Sequence, residues 1–308
     1  MLKIIMNWLG KSRELITITK MQNEITLSII IVNYKSERYI EKCIVSIREK
    51  IKDLSFEIIV VNNDESDIEF DNVKIINSGE NVGFGRANNL GAKEARGKYL
   101  LFLNPDTLLL TENIKKVVEE FENNEKIGMV GPRLLTIKNE TQRWCAGAES
   151  SLLNLIRNNF GATKSKKIWE SKEKTRADWV SGAAMFIKKE LFYRLSGFDE
   201  KFFMYFEDED LCKRVRSTGY KIIYFPEVEI KHLGGKSFEN KTLKDSNLTC
   251  KTKSSKAFLS VKALASAEAK EGKKAQKNYF YASQDYYFQK HFGKLTSWIV
   301  KFLRKVFK

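Results

Sequence analysis

Leu27–Asn33 reads LSIIIVN, and Phe56–Asn62 repeats the pattern as FEIIVVN. Each is a short, unbroken, β-branched run without polar alternation, as expected of a strand buried on both faces of a parallel sheet. Between them, Glu37–Lys50 puts Ile40, Cys43, Ile44 and Ile47 on one helical face. Working outward, VKIIN (73–77) predicts a third strand, GENVGFGRANNLGAKEARG a glycine-punctuated turn and helix, and KYLLFLNPD (98–106) a fourth strand. Glu112–Asn123 reads as helix and IGMVG (127–131) as strand. Strands alternating with helices imply an α/β fold around a mostly parallel central sheet. Such sheets bind ligands beyond the carboxyl ends of their strands. Asn33, Asn62, Asn63 and Asp106 are therefore expected to converge on one crevice.

After Pro132 the rhythm changes to short, mixed, polar segments, with a Lys-rich loop expected near Lys164–Lys174. DWVSGAAMFIKK (178–189) reads as one strand, whose small residues Ser181, Gly182, Ala183 and Ala184 permit close approach of a backbone or ligand. An acidic stretch then opens a helix that Gly219 stops, and YKIIYFP and VEIKHLGG complete the ordered body. Residues 238–278 read as loop or helix, and Tyr279–Phe292 as an aromatic helix. Leu295–Lys308 places Leu295, Trp298, Ile299, Phe302, Leu303, Val306 and Phe307 on one face, with Lys301, Arg304, Lys305 and Lys308 opposite. At the other end, Leu2, Ile5, Met6 and Leu9 fit a short amphipathic helix, with an unstructured extension the alternative. The expected organisation is an extension over 1–24, a catalytic domain over 25–237, and a basic, mainly helical region over 238–308.

Charge separates the last region from the rest. Residues 236–308 hold seventeen Lys/Arg against five Asp/Glu, so +12 of the net +15 lies there. The four cysteines are far apart with no C-x-x-C pair, which predicts reduced thiols and neither a zinc site nor a disulfide framework. No apolar run approaches the roughly 20 residues that span a bilayer. The first residues lack a signal-peptide pattern, so a cytoplasmic protein is expected.

The stretch Gly197–Asp210, GFDEKFFMYFEDED, sets Asp199, Glu200, Glu207, Asp208, Glu209 and Asp210 among aromatics. One reading is a carboxylate placed to take a proton from a bound hydroxyl. The other is the acidic first turn of a helix, favoured by the dipole. Asn104-Pro105-Asp106 likewise has two readings. A carboxylate at a strand tip suits a hard cation that holds a diphosphate, and an Asx residue also suits a simple turn. His232 is one of two histidines, and would be a second ligand if its turn folds over the crevice. GFGRAN (83–88) fails the dinucleotide fingerprint at Asn88, which argues against a nicotinamide or flavin site.

Seven segments in order, SIIIVNYKS, VVNNDESD, NVGFGRANNLG, YLLFLNPD, VSGAAMFIKK, GFDEKFFMYFEDEDLCKR and HLGGKS, resemble the family 2 glycosyltransferases, and within them the rhamnosyltransferase-like branch. The resemblance covers Leu27–Ser237, with YYFQKHFG (286–293) also similar. It implies the GT-A nucleotide-sugar-binding fold. By the same resemblance Asp208 matches the catalytic base, and Asp106 and His232 match the residues that hold a Mg²⁺ or Mn²⁺ ion on the diphosphate. Asn104 stands where many members have the first Asp of D-x-D. Asn33, Tyr34, Asn62, Asn63 and Asp64 match the base and ribose contacts, although the family often has Asp at the position of Asn62. Gly83, Phe84, Asn88 and Asn104 are implied on the donor side, and Trp179, Ser181, Gly182, Phe203, Tyr205 and Glu207 around the sugar and acceptor.

The implied activity is metal-dependent, inverting transfer of a sugar from dTDP-rhamnose or a UDP-sugar to a hydroxyl of a glycan or lipid-linked glycan, as in bacterial surface polysaccharide synthesis. The basic amphipathic C-terminal helix fits an anionic inner-leaflet membrane surface, or alternatively packs on the catalytic domain or in a homodimer. Two other classes compete. A nucleic-acid-binding protein would use the basic tail, but the near-neutral body makes nucleic acid an unexpected partner. A non-catalytic sugar-nucleotide scaffold would have no need of Asp106, Asp208 and His232 together.

Overall fold

The computed structural model describes residues 25–159, 164–234 and 255–306. The expected N-terminal extension, Cys250, Phe307 and Lys308 lie outside them. Strand β1 (Leu27–Asn33) is buried along its whole length, and pairs in parallel with β2 (Phe56–Asn62) and β4 (Tyr99–Leu103). β2 in turn pairs in parallel with β3 (Lys74–Asn77). The unbroken apolar runs are explained by the layers around this sheet. Helix α1 (Glu37–Lys50) buries the predicted Ile40, Cys43, Ile44 and Ile47, and α2 (Phe84–Lys93) covers β1 and β2.

β4 ends at Leu103, before the Asn104–Asp106 tip, and the chain re-enters the sheet as β5 (Thr107–Leu109). Helix α3 (Ile114–Asn123) leads to β6 (Ile127–Leu135), which continues through Pro132 rather than stopping there. Neighbouring β10 (Ala184–Lys188) meets β6 only at Met129 and Val130, so by Pro132 the ladder to β10 has ended and a missing N–H is tolerated.

The single strand expected over 178–189 is two. β9 (Trp179–Val180) belongs to a small sheet with β7 (Ala146–Gly147), whereas β10 is antiparallel to β4 and β6. The small residues Ser181–Ala183 form the turn that changes sheets. The expected Lys-rich loop contains helix α5 (Lys164–Trp169), held by buried Ser165 and Trp169; α4 (Leu152–Asn159) precedes it, and β8 (Thr175–Ala177) follows. Helices α6 (Lys189–Arg194) and α7 (Glu207–Ser217) come next. The two segments expected around Pro226 are one strand, β11 (Lys221–His232), with a register shift between Phe225 and Glu229.

The main sheet runs β3-β2-β1-β4-β10-β6-β11-β5, with β8 beside β11. The β3–β4 group and the β6–β11 pair are parallel; β5, β8 and β10 are antiparallel to their neighbours. The last element, α8 (Ser255–Val306), is interrupted at Gly293, whose φ of 86° no helix contains. Before the break, Tyr287 and Phe288 join Phe202 and Phe206 in a second core, which Val300 completes from beyond it. The C-terminal region is thus packed on the segment that leads into α7.

Candidate functional site

A cavity of about 350 Å³ opens beyond the carboxyl ends of β1 and β4. Tyr34, Asn63, Phe84, Asn104, Asp106, Ser181, Gly182, Tyr205, Glu207, Asp208 and His232 all line it. Asp106, His232 and Asp208 therefore share one space, although the first two are far apart in the chain and α7 carries the third. A larger hollow of about 730 Å³ lies around Arg96, Lys98 and Lys189, beside the starts of β1 and β4. Its cations are engaged by Glu57, Glu122 and the Ala95 carbonyl, so it offers no comparable chemistry.

Asp208 sits in the first turn of α7, where two backbone N–H groups hold its carboxylate. Gly182 N–H donates to Oδ2 and Glu209 N–H to Oδ1, both at 2.8 Å. Burial raises the Asp208 carboxyl above its ordinary value while these hydrogen bonds pull it back. The turn between β9 and β10 thus aims the carboxylate. Glu207 is buried beside it, and its Oε2 has no hydrogen-bond partner among the described residues. Burial, followed by the Asp208 charge, raises Glu207 well above the usual carboxylate range. Glu209 is pushed up to about 8, chiefly by burial.

Asp210 behaves in the opposite way. Burial would raise it, but His291, Arg214 and Lys290 overcome that and hold it down at about 2. His291 Nε2 and Lys290 Nζ lie 2.7 and 2.6 Å from Oδ1, and Arg214 Nε donates to Oδ2 at 2.8 Å. So the four consecutive acids divide by environment, and α8 supplies two of the three partners around Asp210. The approach to α7 is strained: Tyr205 and Phe206 have φ of 70° and 65°, a region costly for side chains of this size. α8 holds them there. Phe280 packs on both rings, Tyr287 on Phe206, and Ser283 Oγ–H donates to Met204 O at 2.7 Å.

At the other end of the cavity, Asp106 Oδ1 is 3.3 Å from His232 Nε2. The Leu233 N–H donates to the Asp106 carbonyl, and β5 pairs His232 with Thr107. Two ligands at right angles on one cation with bonds of about 2.1 Å would stand about 3 Å apart, so this pair fits adjacent positions on a hard divalent ion. Among the described residues no group of three or more His, Cys, Asp and Glu side chains is placed for a metal. Two protein ligands suit an ion that takes its remaining ligands from phosphate oxygens and water.

Other residues picked from the sequence lie behind this surface. Asn33 Nδ2 donates to Asn62 Oδ1, and Asn62 donates to Ser66 O and Asn77 Oδ1. Both amides are spent inside the protein. Asp64 accepts its neighbour Glu65 N–H, and Asn88 donates to Phe84 O within α2. Gly83, at φ 87°, lets Phe203 approach: an added Cβ would lie 2.6 Å from the Phe203 carbonyl oxygen. The Phe203 ring packs on Tyr279, and the buried Trp179 donates to Ala148 O. Sequence reasoning missed Asn81 and Gln276 in the lining, and Gln142 behind His232. Gln276 comes from α8, and nothing in its Lys/Ser/Ala-rich surroundings marks it.

Comparison with known proteins agrees with this architecture. The rhamnosyltransferase WbbL of Escherichia coli K12 is 26% identical over 237 residues, 70% of this chain and 88% of that protein. The low-salt glycan biosynthesis hexosyltransferase Agl10 of Haloferax volcanii is 28% identical, over 64% of this chain and 63% of its own. An N-acetylglucosaminyl-diphospho-decaprenol L-rhamnosyltransferase of Mycobacterium tuberculosis is 22% identical, over 67% and 75%. Among solved structures, GalNAc-T7 with UDP, GalNAc and Mn²⁺ superposes with a TM-score of 0.54 at 16% identity, over 68% of this chain and 44% of that one. The matched part is less than half of that protein. S. aureus TarS 1–349 with UDP gives 0.50 at 17%, over 70% and 63%. These two show the fold alone, a mixed α/β architecture around a mostly parallel sheet. The model of glycosyl transferase family 2 matches residues 28–192, more than half of the chain, and the chain belongs to that family.

Proposed function

We propose that this glycosyltransferase moves a sugar, with inversion, from a nucleoside diphosphate to an acceptor hydroxyl, and that Asp208 is the base. The observation that carries the reading is the single cavity shared by Asp106, His232 and Asp208. The acceptor oxygen forms its bond to the anomeric carbon as its proton passes to an Asp208 oxygen. The bond to the diphosphate breaks on the opposite face, and its electron pair leaves with the nucleoside diphosphate. A carboxylate of raised proton affinity is a stronger base, and the N–H groups of Gly182 and Glu209 keep it oriented. Asp106 and His232 would hold Mg²⁺ or Mn²⁺, which when bound offsets charge on the leaving diphosphate. Tyr34 and Asn63 line the strand tips on the side assigned to the nucleotide. Ser181, Gly182, Tyr205 and Glu207 surround the sugar and acceptor, with the unpartnered Glu207 oxygen available to a hydroxyl.

Rhamnose carried by dTDP is the donor favoured by the relatives named as rhamnosyltransferases, with a UDP-sugar as the alternative. A lipid-linked glycan acceptor is favoured by the decaprenol-linked substrate in one relative's name. No described helix is long and apolar enough to cross a membrane. Beyond Gly293, however, Leu295, Trp298, Phe302 and Val306 are 71%, 62%, 53% and 58% exposed along one face. Lys294, Lys301 and Lys305 flank that face, so an anionic lipid surface is its proposed occupant. The catalytic unit is then 25–237, and within the basic region 238–308 the described helix α8 braces it and attaches it to the cytoplasmic leaflet.

Transfer assayed with a panel of nucleotide sugars, with and without Mn²⁺, tests the proposal. Asp208→Asn should lower turnover by 10²-fold or more, within the range of about 10²–10⁴ for a positioned base, while donor binding persists. Turnover at the native rate would remove Asp208 from its role.

A further inference from the structure

His232 has a neighbour on each ring nitrogen. Nδ1 lies 2.9 Å from Gln142 Oε1, an amide oxygen that only accepts. Nδ1 must therefore carry the ring proton. On the other side Nε2 lies 3.3 Å from Asn104 Nδ2, an amide nitrogen that only donates, so Nε2 presents its lone pair. The two amides impose the same tautomer from opposite edges of the ring. The exposed lone pair is the one facing Asp106 Oδ1 at 3.3 Å.

Gln142 is well anchored for this task. Its N–H donates to Leu134 O at 2.8 Å, and the adjacent Thr141 bridges to Leu135. Both partners lie in β6, which pairs with β11, the strand that ends in His232. The backbone of Gln142 is thereby tied to the strand beside its target.

We propose that Gln142 and Asn104 are positioning residues that clamp His232 as the Nδ1–H tautomer, keeping Nε2 ready to ligate the divalent ion beside Asp106. The proposal rests on the metal role assigned above, and it gives a reason for Asn104 at the first position of D-x-D. An aspartate there would replace the amide donor at Nε2 with a second carboxylate beside that of Asp106, and the ring proton would move to Nε2. Ligating histidines commonly have their other N–H held in this way, and losing the partner typically costs about 10–100-fold in metal affinity.

The full chain, labelled with ¹⁵N-histidine, tests it in mildly alkaline buffer. There are only two histidines, so His291→Gln assigns both rings. Long-range ¹H–¹⁵N correlation should show His232 as Nδ1–H in the native protein and in Gln142→Glu, which keeps an acceptor. Gln142→Leu should lose that form, and Asn104→Asp should move the proton to Nε2. In parallel, Mn²⁺ binding followed by electron paramagnetic resonance with UDP present should weaken about tenfold or more in Gln142→Leu and recover in Gln142→Glu. An unchanged tautomer in Gln142→Leu overturns the clamp. So does unchanged Mn²⁺ affinity in that variant when Asp106→Ala has lost binding. If Asp106→Ala and His232→Ala both bind Mn²⁺ like the native protein, the metal assignment fails instead, and the tautomer spectra still decide the clamp.

Discussion

Asp210→Asn probes how the C-terminal helix supports the turn that carries Asp208. The native carboxylate is fully buried and meets Arg214, Lys290 and the His291 ring within 2.8 Å. Lowering its pKa from 3.8 to about 2 corresponds to about 2 kcal/mol of preference for the charged form. Removing one member of a buried ionic group costs about 3–5 kcal/mol, because the others are left uncompensated. The amide keeps the volume and one acceptor, so the expected loss is about 3 kcal/mol, toward the low end of that range. Urea unfolding near neutral pH measures it.

The pH dependence gives an independent check. A folded-state pKa below the unfolded one means that the unfolded chain binds the proton first. Asp210 thus contributes its full stabilisation above about pH 4, and loses it as pH falls through 3.8 toward about 2. The gap between native protein and Asp210→Asn should therefore shrink as pH falls below about 4. Because the other carboxylates are common to both proteins, they largely cancel in this difference. A variant within about 0.5 kcal/mol of the native protein, or a gap indifferent to acid, would refute the claim that this network fastens α8 to α7.

Glu209→Gln should act with the opposite sign. Its carboxyl is raised from 4.5 to about 8, so native stability falls as pH rises through that interval, by up to about 1.4 kcal/mol per unit, and the glutamine variant should show a flatter thermal midpoint across it. Gly83→Ala puts a Cβ 2.6 Å from the Phe203 carbonyl at a positive φ; a loss of about 2 kcal/mol or more is expected in calorimetry, with turnover falling as the 203–206 segment shifts. Trp298→Glu with Phe302→Glu should abolish flotation with anionic vesicles without moving the thermal midpoint, since both rings are mostly exposed; unchanged flotation, or a dimer in the native protein that the substitutions dissociate, would assign this face elsewhere.

The parts of the fold that could be read from the sequence were those in which one physical demand dominates. LSIIIVN, FEIIVVN and YLLFL are buried on both faces, so nothing but apolar residues fits, and the runs announce themselves. The shared cavity was legible for a related reason, since strand tips and the α7 N-terminus are where an α/β sheet exposes polar groups. The single strand read over 178–189 failed because a run of small residues suits both a strand and a tight turn; the hydrogen bond from Gly182 to Asp208 decides the matter, and it is tertiary. Asn62 was expected at the ligand surface, yet the parallel register of Asn33 with Asn62, and of Asn62 with Asn77, lines up three amides that satisfy one another. Gln142 carries no local mark at all, because its meaning depends on which strand stands beside β6.

The family model ends at Phe192, before Asp208, His232 and the whole of α8. The matched region supplies the strand tips at one end of the cavity, while the carboxylate proposed as base hangs on a segment that this chain must hold by other means. Two consecutive aromatic residues with left-handed backbone would relax if nothing packed on them. The rings of Phe280 and Tyr287, the hydroxyl of Ser283 and the side chains of Lys290 and His291 all come from α8 and all act on residues 204–210. Gln276, about one turn earlier than Tyr279, reaches the cavity itself. The region that looks in sequence like a detachable basic tail is, in its first leg, a wall of the cavity and a brace for the turn that carries Asp208. Past Gly293 the second leg leaves an apolar face to solvent, so the break there separates the face proposed for lipid from the packing that holds the Asp208 turn.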